Sequence, residues 1–198
     1  MTGSADNPPL IHDAAREASA SMRGYWAQIW RSVSVWLELG ATERLYLEGA
    51  EDLDRVSGLD AETVQVKDTA GNITLRSPDV VEAIDNAFGH QQRNPQRTIR
   101  FRFLTTSAVG SEQGAPFRDR MPGLELWRAC RESANATQGE ADARAIADFL
   151  LAEGKVSAPV EAFLRSASST QIRQILISAI EWDTAADDAS KVIRVVKD

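Results

Sequence analysis

The chain has 198 residues, a formal net charge of -7, 43% hydrophobic and 26% charged residues, which is enough for one core or for one core plus a helical extension. No apolar run approaches the roughly 18 residues needed to span a bilayer, and the N-terminus lacks a basic start followed by an apolar stretch. The chain is therefore expected to be cytoplasmic, without membrane attachment. A single cysteine, Cys130, excludes an internal disulfide, and His12 and His90 are too few to complete a usual zinc cage with it.

Residues 1 to 19 are rich in Ala, Ser, Asp and Pro without a sustained period and read as a lead-in. Trp26, Ile29, Trp30, Val33 and Leu37 then recur at helical spacing, with Gly40 placed to stop the helix. The tryptophans of this stripe are expected to anchor a core. Arg44 to Gly49 alternates as a strand, Asp52 to Val56 adds a short second one, and Thr63 to Asp68 a third. In the third strand Val64 and Val66 share one face while Gln65 and Lys67 share the other. Ala70, Gly71 and Asn72 suggest a hairpin returning through Ile73 to Arg76.

Ser77 and Pro78 open a helix with Val80, Val81, Ile84 and Phe88 as its buried stripe. Thr98 to Thr105 follows as an alternating strand, Ile99, Phe101 and Phe103 inward and Arg100 and Arg102 outward. Gly110, Gly114, Pro116 and Pro122 mark 107–122 as a loop or linker. Helical patterns then cover about 123–135, 140–153, 158–167, 170–182 and 186–197, with a capping box at Ser168 and Gln171. Cys130, spaced helically from Leu126 and Trp127, is expected to be a buried structural thiol. The division is a lead-in (1–19), an α/β core (20–106), a linker (107–122) and a helical extension (123–198).

Acids at the end of one strand and an amide and an ammonium on one face of another suit metal-dependent phosphodiester hydrolysis. A divalent cation neutralises phosphate and lowers the pKa of a bound water, and carboxylate oxygens suit magnesium. Glu48 and Asp52 could reach a common ion, Gln65 and the backbone carbonyl of Val66 could add neutral oxygens, and Lys67 would sit by the water or the scissile phosphate. A solvated acidic loop beside an ordinary edge lysine is the plain alternative. Between Asp85 and Glu112 there is no acid, while Arg93, Arg97, Arg100 and Arg102 fall in that window, either as a phosphate track or as solvated arginines.

The order of these features resembles the PD-(D/E)XK, or restriction-endonuclease-like, superfamily, an α/β fold whose mixed-sheet core runs helix, three strands, helix, strand. Gly24 to Gln28, Glu48 to Asp52, Gln65 to Lys67 and Phe103 to Thr106 are similar to the N-terminal nuclease domains of bacterial antiphage effectors. Those domains are fused to sensor modules or STAND-type ATPases, or partnered with a hexameric ATPase.

The resemblance covers about residues 24 to 106. It implies Asp52 as the principal metal ligand, Lys67 as the catalytic lysine, Gln65 at the second acidic position and Glu48 as a compensating carboxylate. Gln28 would support the site or simply pack its helix, and Asp54 would replace Asp52 if the turn were registered differently. The implied function is a magnesium-dependent (or manganese-dependent) endonuclease of double-stranded DNA with low sequence specificity. It would act in antiphage defence and be activated by oligomerisation or by a sensor or ATPase module. A nuclease-like fold serving as an oligomerisation or docking module, and an RNase or nickase on the same scaffold, are the alternatives. The apolar pattern still running from Val192 to Asp198 is compatible with a fragment of a longer protein.

Overall fold

A computed structural model describes residues 22–67, 71–114 and 116–186. The expected lead-in over 1–19, the hairpin residue Ala70 and the last expected helix over 186–197 lie wholly or almost wholly outside the described residues. The elements run α1 (Met22–Leu37), β1 (Arg44–Leu47), β2 (Leu53–Ser57), β3 (Asp60–Lys67), α2 (Pro78–Arg93), β4 (Thr98–Thr105), α3 (Gly123–Glu132), α4 (Ala136–Glu153), α5 (Ala158–Ser166), α6 (Ser169–Gln171) and β5 (Ile180–Asp183). A π-helical turn, Ile172–Ile177, continues α6.

The five strands form one mixed sheet in the order β1-β2-β3-β4-β5. The first three form an antiparallel meander, and β4 and β5 are parallel to β3 and to each other. The protein is thus an α/β fold. The β3–β4 register runs from Asp60 opposite Thr98 to Lys67 opposite Thr105, and a parallel pair of this kind needs a crossover, here supplied by α2.

Side-chain alternation divides the sheet into two faces. Asp54, Thr63, Gln65, Phe101 and Phe103 lie on one, and Leu53, Val64, Val66 and Leu104 on the other. The first face carries the main core, in which Val80, Ile84, Phe101, Phe103, Trp127, Ile146, Leu164 and Ile180 are fully or nearly fully buried. That cluster extends from Ile73 to Trp182, so helices α3 to α5 pack on the same core as the strands. The second face is covered over part of its area by α1, whose Val35 packs on Leu53, Val64, Val66 and Leu104.

Four expectations need correction. The tryptophan stripe of α1 is not a core anchor: Trp26 is 50% exposed and Trp36 64%, because α1 crosses only a small apolar patch. The helix expected over 170–182 ends in the π turn, and Ile180 to Asp183 instead joins the sheet beside β4, with Ile180 and Trp182 buried. A short apolar run reads equally as helix or strand, and the free edge of β4 decided it. Gly71 does not lead into a return strand on β3; Ile73 bridges Val109 instead. Finally, Ser77 precedes α2 without capping it through its side chain, and its Oγ accepts from the Thr74 amide at 3.0 Å.

Other local expectations hold. Ser168 and Gln171 form both bonds of a capping box. Cys130 is buried with its thiol 3.1 Å from the Gly139 carbonyl, and burial pushes the thiol up to about 11. Trp127 donates its indole N–H to the Ile177 carbonyl at 3.1 Å and meets Trp182 edge-on at 5.5 Å, tying α3 to the π turn and β5.

The loop after β4 is fastened by Glu112, which is buried and accepts from the amides of Leu75 (3.0 Å) and Gly123 (2.6 Å), the latter at the start of α3. Glu112→Ala would leave two buried N–H groups without an acceptor. It should lower the unfolding free energy by about 3 kcal/mol, read as a lower urea midpoint at unchanged slope.

Candidate functional site

The candidate site lies where the β1–β2 turn meets the C-terminal end of β3. Asp52 sits one residue before β2, at the end of a ladder whose outermost pair is Leu53 and Val64. Its Oδ2 accepts the Val66 amide at 2.6 Å, which leans the carboxylate toward β3. Its Oδ1 accepts from Gln28 Nε2 of α1 at 2.7 Å. Gln28, named from the first helix as a supporting residue, therefore touches the principal acid.

Desolvation by burial raises the Asp52 carboxyl to about 6 from an ordinary 3.8. The Val66 amide opposes that shift; the charge of Glu51 adds to it, Lys67 subtracts, and Glu48 adds further. Glu48, Glu51 and Lys67 are thus all close enough to act on one carboxylate.

Glu48 itself is exposed and adopts a left-handed backbone, φ 52°, with its amide donating to the Asp52 carbonyl at 3.1 Å. Gln65 is buried, and its Oε1 has no protein partner. Lys67 is half-buried and faces α2, its Nζ 3.4 Å from Glu82 and 3.9 Å from Asp79. These two α2 acids were not marked by the sequence. Their signal was present, acids in the first turns of a helix directly after the lysine strand, but acids are common at that position for helix-dipole reasons alone.

Asp54, the alternative ligand, points the other way. It is fully buried, and its Oδ2 accepts the Ala50 amide at 2.6 Å. Gly49 has no side chain because a Cβ there would overlap Asp54 Oδ2. Burial raises the Asp54 carboxyl above its ordinary value, opposed by the Ala50 amide. Asp54 is a bracket of the turn, and Asp52 is the acid at its rim.

The four arginines do not form one free track. Arg102 is ion-paired with Asp183 of β5, Arg93 reaches His90 Nδ1 at 3.1 Å, and Arg97 donates to the Gly58 carbonyl at 3.2 Å. Arg100 is exposed. A cleft of about 810 Å³ lined by Arg55, Glu62, Gln91, Arg97, Arg100 and Gln174 lies at the opposite end of β3. About 20 Å of strand separates that end from Lys67, so the cleft is not the Asp52 site.

Among the described residues no three His, Cys, Asp or Glu side chains gather to hold a metal ion. The donor shown at this turn is nevertheless oxygen: the Asp52 carboxylate, whose oxygens each keep a lone pair beyond the N–H they accept, while the Gln65 carbonyl oxygen is buried without a protein partner on the core face of β3. That fits a hard cation that keeps most of its own water. Among the described residues no helix is long and apolar enough to cross a membrane. Comparison with known proteins identifies no matching family model, no matching curated protein and no matching solved structure.

Because folding raises the Asp52 value, its contribution to stability is fully present below about 4 and is lost as pH rises through about 6. The ionised carboxylate then costs the fold at most about 3 kcal/mol. Asp52→Asn, with the Gln28 amide turned to match, should therefore unfold at higher urea than the parent near about pH 8, and the difference should close near about pH 4. A variant less stable than the parent at the higher pH would show that the carboxylate is not under strain.

Proposed function

We propose that the chain is a metal-dependent endonuclease domain acting on double-stranded DNA with low sequence specificity. The observation that carries this is the placing of Asp52, held by Gln28 of α1 and by the Val66 amide, at the same end of β3 as Lys67, which acts on its charge and faces α2. The helix, three-strand, helix, strand order of the elements, with β3 and β4 parallel, supports the restriction-endonuclease-like reading of the fold. The superfamily resemblance supplies the substrate class, the setting in antiphage defence and activation by self-association or by a sensor or ATPase module.

Asp52 would hold magnesium or manganese, with Gln65 and Glu48 as the further oxygen donors that the superfamily resemblance implies. When bound, such an ion supplies charge neutralisation at phosphate and a bound water of lowered pKa. Gln28 and the Val66 amide fix the orientation of the Asp52 carboxylate through one hydrogen bond to each oxygen. The elevated Asp52 value favours a nearby cation, since positive charge relieves what burial costs the ionised form. Lys67 brings an ammonium to the same strand end, where it can bond a phosphate oxygen as negative charge develops. Asp79 and Glu82 hold that ammonium until substrate competes for it. Gln65 in place of an acid removes one negative charge from the ion's surroundings, so the required cation concentration should be high.

A second reading, a nuclease-like scaffold used for assembly or docking, is favoured by one observation: the ammonium of Lys67 is paired with two carboxylates of α2. Supercoiled plasmid with magnesium, together with whatever activating partner the chain requires, separates the two. Cleavage should fall by roughly a hundredfold or more in both Lys67→Ala and Asp52→Ala. Equal cleavage by the parent and both variants would remove the catalytic assignment. Gln65→Glu should lower the magnesium concentration needed for half-maximal cleavage, because it restores a charge to the donor set.

A further inference from the structure

The turn that presents Glu48 and Asp52 is short and strained, yet it is held in one place. Glu48 adopts φ 52°, a conformation that costs a non-glycine residue energy unless its surroundings enforce it. The enforcement comes from below the turn. Glu51, whose side chain is 8% exposed, places Oε1 2.8 Å from Nε2 of His90 on α2. His90 is completely buried, lies over Phe101 with ring centroids 6.1 Å apart, and has its Nδ1 3.1 Å from Arg93 Nη2.

A guanidinium only donates, so Nδ1 must accept and the ring proton must sit on Nε2, pointing at Glu51. Gly89 leaves room for this arrangement, since a Cβ there would lie 2.9 Å from Arg93 Nη1. Asn94 closes the helix over the same residue, its Nδ2 donating to the His90 carbonyl at 2.9 Å.

We infer that Arg93, His90 and Glu51 form a positioning relay that locks the 48–52 turn onto α2 and so fixes where Asp52 and Glu48 stand. Arg93 sets the tautomer, His90 transmits it as a directed N–H, and Glu51 converts it into a fixed backbone between the two site acids. Asp54 braces the same turn independently through the Ala50 amide. The role deepens the nuclease reading and rests on it for its purpose, but the locking itself is measurable without activity. It also gives Arg93 a task other than a phosphate contact.

Three variants test the relay. His90→Leu removes the directed N–H, His90→Gln keeps an amide N–H at about the same reach, and Glu51→Ala removes the acceptor without touching the core. The readout is hydrogen exchange at the amides of Glu48, Ala50 and Val66, which are bonded to Asp52, Asp54 and Asp52 respectively. Exchange at these amides should accelerate at least about tenfold in His90→Leu and Glu51→Ala and stay near the parent in His90→Gln, while α4 amides are unchanged. A long-range nitrogen spectrum of the parent should show His90 as the Nε2–H tautomer. If His90→Leu fails to fold, Glu51→Ala decides. Unaltered exchange in Glu51→Ala, or the opposite tautomer, overturns the relay. Where the parent cleaves DNA, the same two variants should lose mainly kcat, with KM nearly preserved. A parent that never cleaves would count against the nuclease reading and leave the exchange result to judge the relay.

Discussion

The parallel pairing of β3 with β4 is the constraint on which the rest depends. Eight residue pairs in unbroken register bind the central strand to a strand that the chain reaches only through α2. Because the crossover must return across the sheet, α2 is laid on one face, and that placement delivers Asp79 and Glu82 to Lys67 and His90 to Glu51. On the other edge of β3, β2 pairs with Asp60 to Val64 only, which leaves the Val66 amide free to bond the Asp52 carboxylate. The eight-pair ladder to β4 fixes the register of the last residues of β3, and a one-residue shift would turn Gln65 and Lys67 to the opposite face.

Burial sorts the acids of the β1–β2 turn into different jobs. Asp54, inside the sheet face, spends its carboxylate on a backbone amide and on the absent side chain of Gly49. Glu51 turns down toward His90. Asp52 stays at the edge, where two N–H donors orient it but do not offset its desolvation, and its carboxyl consequently rises to about 6. The desolvated Asp52 carboxylate, with the Lys67 ammonium acting on its charge, is the feature on which the proposed nuclease reading rests.

The two ends of the sheet differ in kind. At the C-terminal end of β3 the polar groups converge on one carboxylate. At the other end lies an open cleft in which Arg55 is ion-paired with Glu43 at 2.6 Å and the paired residues Arg55, Glu62 and Arg100 alternate in sign across the strands. The arginines that the sequence grouped by proximity are distributed by the fold to β5, to α2 and to the turn before β3. Neighbours in a chain that turns from helix to strand do not share a surface.

The sequence by itself determined the periodic elements. The alternation of Thr98 to Thr105, the valine face of β3, the proline-led start of α2 and the capping box at Ser168 are local patterns, and each appears where its residues prescribe. It also determined which residues near Asp52 had the right chemistry. Tertiary structure alone decided the partners. Whether Ile180 to Asp183 became helix or strand depended on the open edge of β4, and whether the α1 tryptophans were buried depended on how much of the sheet α1 crossed. That the Val66 amide reaches Asp52, that Gln28 reaches the same acid, and that His90 meets Glu51 are contacts across 14 to 39 residues of chain. Periodicity records which face a residue takes, because that follows from the backbone repeat. It holds no record of what is packed against that face, because that is set by long-range pairing.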